Sequence, residues 1–201
     1  MRGSRAMKYI ISGTNRKSSR SLEVSQLIQK IYTAKSEAIE IIDLKDVGLN
    51  ELDETHYGAE KPKKITDTLQ KINQSEGLIF VVPEYNGSLP GALKYFIDHW
   101  KYPDAFEFRP VCFVGLGGMF GALRAVEQLQ MILGYRNAFV YPERIFLTNV
   151  WNILKNGKIS DPVIQDLLEK QVIGFQKFTH ALSSHKLDAN SIDRTKTINR
   201  S

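Results

Sequence analysis

The sequence predicts one α/β domain, in which helices cover both faces of a five-stranded parallel sheet with the strand order 2-1-3-4-5. Its 201 residues fit a single domain of ordinary size. Five short apolar runs alternate with five segments whose apolar residues recur at helical spacing, which is typical of a parallel sheet with right-handed crossovers. The order 2-1-3-4-5 is a common doubly wound arrangement, and it predicts a ligand crevice between the carboxyl ends of strands one and three.

Each predicted strand is a short apolar run, and each predicted helix has apolar residues three and four apart on one face. The strands are predicted over residues 8–12, 38–44, 78–82, 110–118 and 138–141. The helices are predicted around residues 24–31, 65–72, 93–100, 122–133 and 164–175. We expect Ser160 to be the N-cap of the last helix, with Asp161 and Pro162 in its first turn.

The two ends of the chain differ in composition from the segment between them. Residues 1–6 precede the first strand and look like an added leader, so we predict that the folded domain covers residues 7–182. Residues 183–201 are polar and show no periodicity, and we expect them to form a frayed tail.

Composition excludes several classes of function. Lysine and arginine number 27 against 22 acidic residues, but they form no long basic run and do not alternate with aromatic residues, so we expect no nucleic-acid partner. No apolar run approaches the ~20 residues that span a bilayer, so we expect no membrane partner. The one cysteine, Cys112, lies within an apolar strand and is expected to be a buried thiol. These features predict a cytoplasmic protein.

A metal site is not expected, because the four histidines are scattered along the chain without the spacing of metal ligands. They are His56, His99, His180 and His185.

The loop after the first strand carries hydroxyl groups and a guanidinium group just before a helix. Unpaired N–H groups and the positive end of the helix dipole suit such a loop to a phosphate dianion. Two interpretations remain open: the loop binds a phosphate, or Ser18 or Ser19 only caps the helix while Arg16 is solvated. The loop is not a Walker loop, because no glycine stands five residues after Gly13.

The loops after the third and fourth strands predict a site for a planar ring. Residues 83–88 (PEYNGS) end a buried strand with an acid, an aromatic and an amide side chain. Residues 115–121 contain four glycines, which let main-chain N–H groups approach a flat ligand closely. Their spacing is not that of a dinucleotide fingerprint, because Phe120 stands where GxGxxG requires glycine. A planar ring and one phosphate across strands one and three suggest a mononucleotide such as FMN.

Over most of residues 7–180 the chain resembles the NADPH-dependent FMN reductase family, which comprises flavodoxin-like quinone, azo-dye and chromate reductases. The family motif GSxRxxS appears as GTNRKSS at residues 13–19, and a glycine-rich turn with small and basic residues appears at 117–124. The most specific motif, PEYNxSxPGxLKNxIDW, appears at residues 83–100. It differs at two positions, since Tyr95 replaces asparagine and His99 is inserted before the tryptophan. Both changes lie on the predicted helix and concern packing or assembly more than flavin binding.

The resemblance implies a flavodoxin-like three-layer sandwich with bound FMN. It assigns the FMN phosphate to Thr14, Arg16, Ser19 and Ser21. It assigns the isoalloxazine ring to Pro83, Glu84, Tyr85, Asn86 and Ser88, with Gly117, Gly118 and Gly121 approaching it from strand four. For Glu84 alone, an ion pair or a capping role remains an equal alternative.

The resemblance also implies an oxidoreductase that takes hydride from NADPH, or from NADH, in a ping-pong cycle. A small-molecule acceptor would then take the place of the nucleotide: a quinone, an azo compound, a metal oxyanion or free flavin. The alternative is a flavodoxin-like electron carrier without enzymatic activity. A carrier is expected to be acidic, with little room over the ring, whereas this chain has a net charge of +5.

Two further expectations concern the nucleotide and the assembly. Arg20, Arg109 and Arg124 are candidates for the extra phosphate of NADPH, with surface solvation as the alternative for each. The family is typically dimeric or tetrameric, with the flavin near the interface, so we expect a homodimer or homotetramer. Tyr102 and Phe106 are candidates for the subunit contact, because aromatic residues are enriched at interfaces.

Overall fold

The computed structural model describes residues 7–49, 60–101 and 105–192. The strands in these segments are β1 (Lys8–Ser12), β2 (Ile39–Asp43), β3 (Gly77–Pro83), β4 (Pro110–Leu116), β5 (Phe139–Val140), β6 (Ile145–Leu147), β7 (Leu154–Lys155) and β8 (Lys158–Ile159). The helices are α1 (Arg20–Ala34), α2 (Lys63–Asn73), α3 (Gly91–Asp98), α4 (Leu123–Tyr135), α5 (Val150–Ile153) and α6 (Pro162–Ser184).

The main sheet is parallel and has the order β2-β1-β3-β4-β5, so the predicted order 2-1-3-4-5 is confirmed. Successive side chains of a strand point to opposite faces of a sheet, and both faces of this one are apolar. On one face Phe80 and Phe113 pack with α2, α3 and α4. On the other face Ile79 and Val114 pack with α1 and α6. The predicted three-layer sandwich is therefore confirmed.

The register of the central strands brings three loops together. Ser12 at the end of β1 pairs with Val81 of β3, and Pro83 at the end of β3 pairs with Leu116 of β4. These three parallel strands consequently end side by side at the carboxyl edge of the sheet. The loops that follow them start within one or two strand spacings of one another, each about 4.8 Å.

The fifth position of the sheet differs from the prediction. The sequence predicts one strand over 138–141, whereas β5 and β6 both pair with β4, one after the other. Val111 and Val114 of β4 are three residues apart, but their partners Val140 and Ile145 are five apart. The two extra residues interrupt the strand next to Pro142, which has no N–H group to donate to a ladder.

The start of α6 and the segment after it also differ from the prediction. The N-cap is Asp161, not Ser160, because its carboxylate accepts hydrogen bonds from the N–H groups of Val163 and Ile164. The predicted fraying from residue 183 is not seen as far as Ser191. The helix continues to Ser184, Ala189 N–H donates to Phe108 O, and the Asn190 amide donates to Ser75 O at 2.9 Å. The boundaries at residues 6 and 182 stay predictions.

The aromatic segment after α3 is part of the core. Phe106 is fully buried, and its ring centroid lies 3.9 Å from that of Trp100. The expectation that Phe106 contacts another subunit is therefore wrong for this fold, while Tyr102 lies outside the described residues. Among the described helices, none combines the length and apolar character needed to cross a bilayer.

Candidate active site

A cleft of about 220 Å³ opens at the carboxyl edge of the sheet, where β1, β3 and β4 end. A larger groove of about 520 Å³ lies beside α2, away from these strand ends. The cleft is lined by the three predicted loops and by a fourth segment at α5. Its lining residues are Thr14, Arg16, Ser18, Ser19, Arg20, Ser21, Pro83, Glu84, Tyr85, Leu116, Gly117, Val150 and Trp151.

The loop after β1 is held against β3 at its first residue. Gly13 N–H donates to Val81 O at 2.9 Å, and a Cβ at Gly13 would lie only 2.8 Å from that oxygen. A side chain at this position would therefore push the loop away from β3. The glycine lets the hydroxyl residues that follow it start directly at the sheet edge.

The same loop ends at the N-terminus of α1. Ser19 is the N-cap, and its hydroxyl accepts a hydrogen bond from Leu22 N–H at 3.1 Å. Ser19 therefore caps the helix, as one of the two interpretations of this loop predicts. The cap does not exclude an anion, because the first turn of a helix leaves several N–H groups without intrahelical acceptors and carries a partial positive charge.

The side chains around this helix terminus fit a phosphate group. Ser21 is 1% exposed, and its hydroxyl oxygen has no hydrogen-bond partner among the described residues. A buried hydroxyl without a partner costs free energy, which a ligand oxygen would recover. Arg16 and Arg20 line the same cleft and form no ion pair with another described residue. Free guanidinium groups beside buried hydroxyls are the donors that a phosphate dianion needs.

The loop after β3 is a tight reversal. Asn86 and Gly87 both have positive φ, at 52° and 75°, and Tyr85 and Ser88 exchange main-chain hydrogen bonds across them. This pattern is that of a two-residue type I′ turn, for which Asn-Gly is the preferred sequence. The Tyr85 hydroxyl lies 2.8 Å from Thr14 Oγ1, so the turn is tied to the loop after β1.

Glu84 forms an ion pair beside the cleft. Its Oε1 lies 3.7 Å from Nη1 of Arg124, and the Arg124 guanidinium lies over the ring of Phe120. Arg124 is largely exposed, so this pair contributes little to stability. The ion pair accounts for Glu84 in this structure, and its carboxylate still lines the cleft.

The glycine-rich turn after β4 is tied to α5 by main-chain hydrogen bonds. Gly117 N–H donates to Leu147 O, Val150 N–H donates to Gly117 O, and Asn149 N–H donates to Gly118 O at 2.8 Å. The turn also packs closely, since a Cβ at Gly115 would lie 2.5 Å from Gly121 O. The position of α5 therefore depends on the position of this turn.

The structure gathers most, though not all, of the predicted site residues in the cleft. Those that line it are Thr14, Arg16, Ser19, Ser21, Pro83, Glu84, Tyr85 and Gly117. Those on the adjoining turns but outside its lining are Asn86, Ser88, Gly118 and Gly121. Ser88 donates instead to the Gln128 side chain at 2.7 Å. The roles of all of these residues as ligands of FMN stay predictions.

One predicted nucleotide contact is wrong. Arg109 is 1% exposed and lies at the start of β4, at the opposite edge of the sheet from the cleft. Its guanidinium donates to the main-chain carbonyls of Ala105 and Ser75, and to Asn73 O at 2.8 Å. Arg109 thus holds the end of α2, whereas Arg20 and Arg124 do lie beside the cleft.

The sequence did not predict the segment Val150–Ile153 as part of the site. Trp151 lines the cleft and is 52% exposed. It reaches the cleft because β6 pairs with β4, and that pairing was not predicted. The short apolar run after Pro142 was the available signal.

The family model for NADPH-dependent FMN reductases matches residues 9–152, so the chain belongs to that family. Membership makes it an oxidoreductase, with FMN and NAD(P)H as the redox cofactors of the family. The matched residues include the three predicted loops and Trp151.

Individual relatives are similar over most of the chain. A quinone reductase of Escherichia coli is 29% identical over 83% of this chain and 91% of its own length. The subunit CrdA of an NADH:(hydroxy)cinnamate reductase of Vibrio ruber is 30% identical over 63% of this chain and 62% of its own length, less than two thirds of that relative. The solved structure of FerB, an NAD(P)H:(acceptor) oxidoreductase of Paracoccus denitrificans, matches 89% of this chain with a TM-score of 0.70. At 20% identity it supports the fold alone.

Proposed function

We propose that this chain binds FMN in the cleft and catalyses hydride transfer from NADPH to a small-molecule acceptor in a ping-pong cycle. The acceptor class is a quinone, an azo compound, a metal oxyanion or free flavin. The observation that carries the proposal is the convergence in one cleft of a phosphate-type loop and the PEYNGS turn.

The residues of the loop after β1 hold the phosphate in this proposal. Thr14, Ser19 and Ser21 provide hydroxyl groups, and Arg16 provides a charge-assisted hydrogen bond. The ring lies against Pro83, Glu84, Tyr85, Asn86 and Ser88, with Gly117, Gly118 and Gly121 on the side of strand β4. The link between Tyr85 and Thr14 keeps the two halves of the site at a constant separation.

When bound, FMN supplies the hydride chemistry, so the chain needs no nucleophile of its own. The protein orients the ring, and main-chain N–H groups of the two turns provide dipoles for negative charge that develops on it. The cleft is open at its outer side, and nucleotide and acceptor enter there in turn. Because one cleft serves both, the kinetics are ping-pong.

Anaerobic reduction of the protein loaded with FMN tests this proposal. We expect NADPH to bleach the flavin absorbance within seconds, and an added quinone to restore it. Steady-state rates at several fixed quinone concentrations should give parallel double-reciprocal lines. Bleaching by dithionite but not by NADPH would instead indicate an electron carrier, and a protein that does not bind FMN would contradict both functions.

We also propose that the chain forms a homodimer through the outer faces of α3 and α4. Met131 and Tyr135 are 72% and 80% exposed, and they line a groove of about 420 Å³ with Ile97 and Trp100. A patch of this kind usually marks an interface, and a second copy presents the same patch in a two-fold dimer.

The single buried thiol and the absence of long apolar runs support a cytoplasmic location.

A further inference from the structure

Trp151 is a large, half-exposed aromatic residue at the edge of the cleft, and the assignments above leave it without a role. It lines the same cleft as Arg20, and its ring contacts the glycine-rich turn after β4 at Gly118. Its accessible surface belongs to the lining of the cleft and is therefore available to a ligand bound there.

The indole is held in place by its surroundings. The neighbouring Val150 is buried, and hydrogen bonds from the N–H groups of Asn149 and Val150 to the carbonyls of Gly118 and Gly117 anchor the segment. One edge of the six-membered ring packs on Gly118, where a Cβ would lie 3.3 Å from Trp151 Cη2. About half of the side-chain surface nevertheless remains accessible. An anchored indole with accessible surface loses little conformational entropy when a flat group stacks on it.

Other aromatic groups near the site are less suited to stacking. The ring of Phe120 has the Arg124 guanidinium over it at 5.0 Å. The Tyr85 hydroxyl is engaged by Thr14. Trp151 instead lines the same cleft as Arg20, which forms no ion pair with another described residue and is not assigned to the FMN phosphate. An accessible indole and a guanidinium group in one cleft match a ligand that joins a flat base to phosphates.

We propose that Trp151 is the stacking platform for the adenine ring of the pyridine nucleotide, and that Arg20 of the same cleft binds the nucleotide phosphates. This inference rests on the proposed function, because it assigns a binding surface in the same cleft to the adenosine half of NADPH. Trp151 therefore acts as a specificity residue that binds a group distant from the reacting atoms.

The test compares NADPH with reduced nicotinamide mononucleotide, which lacks the adenosine half. The variant Trp151→Leu keeps an apolar contact with Gly118 but removes the aromatic face, and Trp151→Phe restores one. In the FMN-loaded Trp151→Leu variant, kcat/KM for NADPH should fall about tenfold, in the range measured for stacking of bases on aromatic residues. The kcat/KM for the mononucleotide should not change, and Trp151→Phe should recover most of the loss with NADPH.

Two controls make the outcome decisive. Leu187→Ala alters an equally exposed apolar residue beyond the end of α6 and should change neither rate. With the unmodified protein, adenosine 2′,5′-bisphosphate should inhibit competitively against NADPH, which tests the site without any variant. Equal losses with both nucleotides, or no loss with either, would overturn the assignment of Trp151, as would absence of inhibition by the bisphosphate. Failure of the unmodified protein to bind FMN in a flavin fluorescence titration would refute the proposed function itself.

Discussion

Arg16 is the residue whose substitution tests the phosphate half of the site most directly. It lines the cleft, forms no ion pair with another described residue and stands two residues after the buried Thr14. Arg16→Ala should weaken FMN binding by about 1.5–3 kcal/mol, the contribution of a hydrogen bond to a charged group. The measurement is a titration of the apoprotein with FMN by flavin fluorescence.

The neighbouring Lys17 provides a matched control for this titration. It is also exposed and cationic, but it is not among the residues that line the cleft. Lys17→Ala should therefore change FMN affinity by much less than Arg16→Ala. Equal losses in the two variants would indicate a general effect of net charge and would remove the assignment of Arg16.

At the scale of single residues, local sequence predicted the loops well and missed contacts that depend on distant pairing. Thr14 and Tyr85 could be predicted to lie in one site because strands one and three were predicted to be neighbours. Trp151 could not, because its position depends on the pairing of Phe146 with Gly115. The local pattern at Arg109 likewise gives no sign that its acceptors are carbonyls of residues 73, 75 and 105.

At the scale of elements, the packing of α6 against the loop after β5 predicts the effect of a substitution on stability. Gly174 lies in the middle of α6, where a Cβ would overlap the Tyr141 hydroxyl and lie 2.9 Å from its Cζ. Alanine stabilises a helix by about 1 kcal/mol relative to glycine, but the steric overlap with Tyr141 destabilises the folded state by more than this. Gly174→Ala should therefore lower the free energy of unfolding by about 1–3 kcal/mol in urea denaturation.

A double-mutant cycle isolates the contact between these two residues. In a Tyr141→Leu background, which removes the ring, Gly174→Ala should cost nothing or should stabilise the protein. Gly91→Ala is the control. A Cβ at Gly91 would have no atom within 4 Å other than those of its chain neighbours and of the backbone of its own helix. If Gly174→Ala costs the same with and without the tyrosine ring, the overlap is not the cause.

The same tyrosine makes stability depend on pH. Burial, together with a hydrogen bond to Glu143 and its charge, raises the pKa of Tyr141 to about 12. The unfolded value is about 10, so the folded state holds this proton more tightly. The resulting stabilisation is fully present below pH 10 and is lost as the pH rises from 10 to 12.

Comparing Tyr141→Phe with the unmodified protein tests this dependence. Phenylalanine does not titrate, so the free energy of unfolding of the variant should fall less steeply above pH 10. The difference between the two proteins, measured by urea denaturation at several pH values, should be constant below pH 10 and should change above it. Parallel curves up to pH 12 would contradict the raised pKa of Tyr141. Burial also raises the pKa of Tyr32, so both proteins lose some stability at high pH.

At the scale of elements, periodicity predicted the main strands and helices because each has a buried apolar face. It failed where an element is short or is interrupted. Each strand of the β7–β8 hairpin has two residues, too few for any apolar alternation, although Asn156 and Gly157 both have positive φ as a type I′ turn requires. The fifth strand is split at Pro142 into β5 and β6, which have only two and three residues, so these parts are also too short to show a periodic pattern.

For the whole molecule, strand order could be predicted because five strands that alternate with helices form a parallel sheet, for which 2-1-3-4-5 is a common doubly wound order. The layers follow from the alternation of side chains along those strands. The face that a second copy would cover could not be predicted, because it depends on which residues of α3 and α4 the core leaves exposed. Both Phe106 and Met131 are large apolar residues in the sequence, but Phe106 is fully buried in the core whereas Met131 is 72% exposed.

The proposed homodimer is tested by placing charges on the exposed side of α4. Met131→Lys and Tyr135→Lys add positive charges to a patch that the proposal buries, and desolvating an unpaired charge there costs several kcal/mol. Light scattering at micromolar concentration should give a dimer mass for the unmodified protein and a monomer mass for the double variant. Val163→Lys changes an apolar residue on α6 that is 64% exposed, and it should leave the dimer intact. A monomer mass for the unmodified protein, or a dimer mass for the double variant, would show that this face is not the interface.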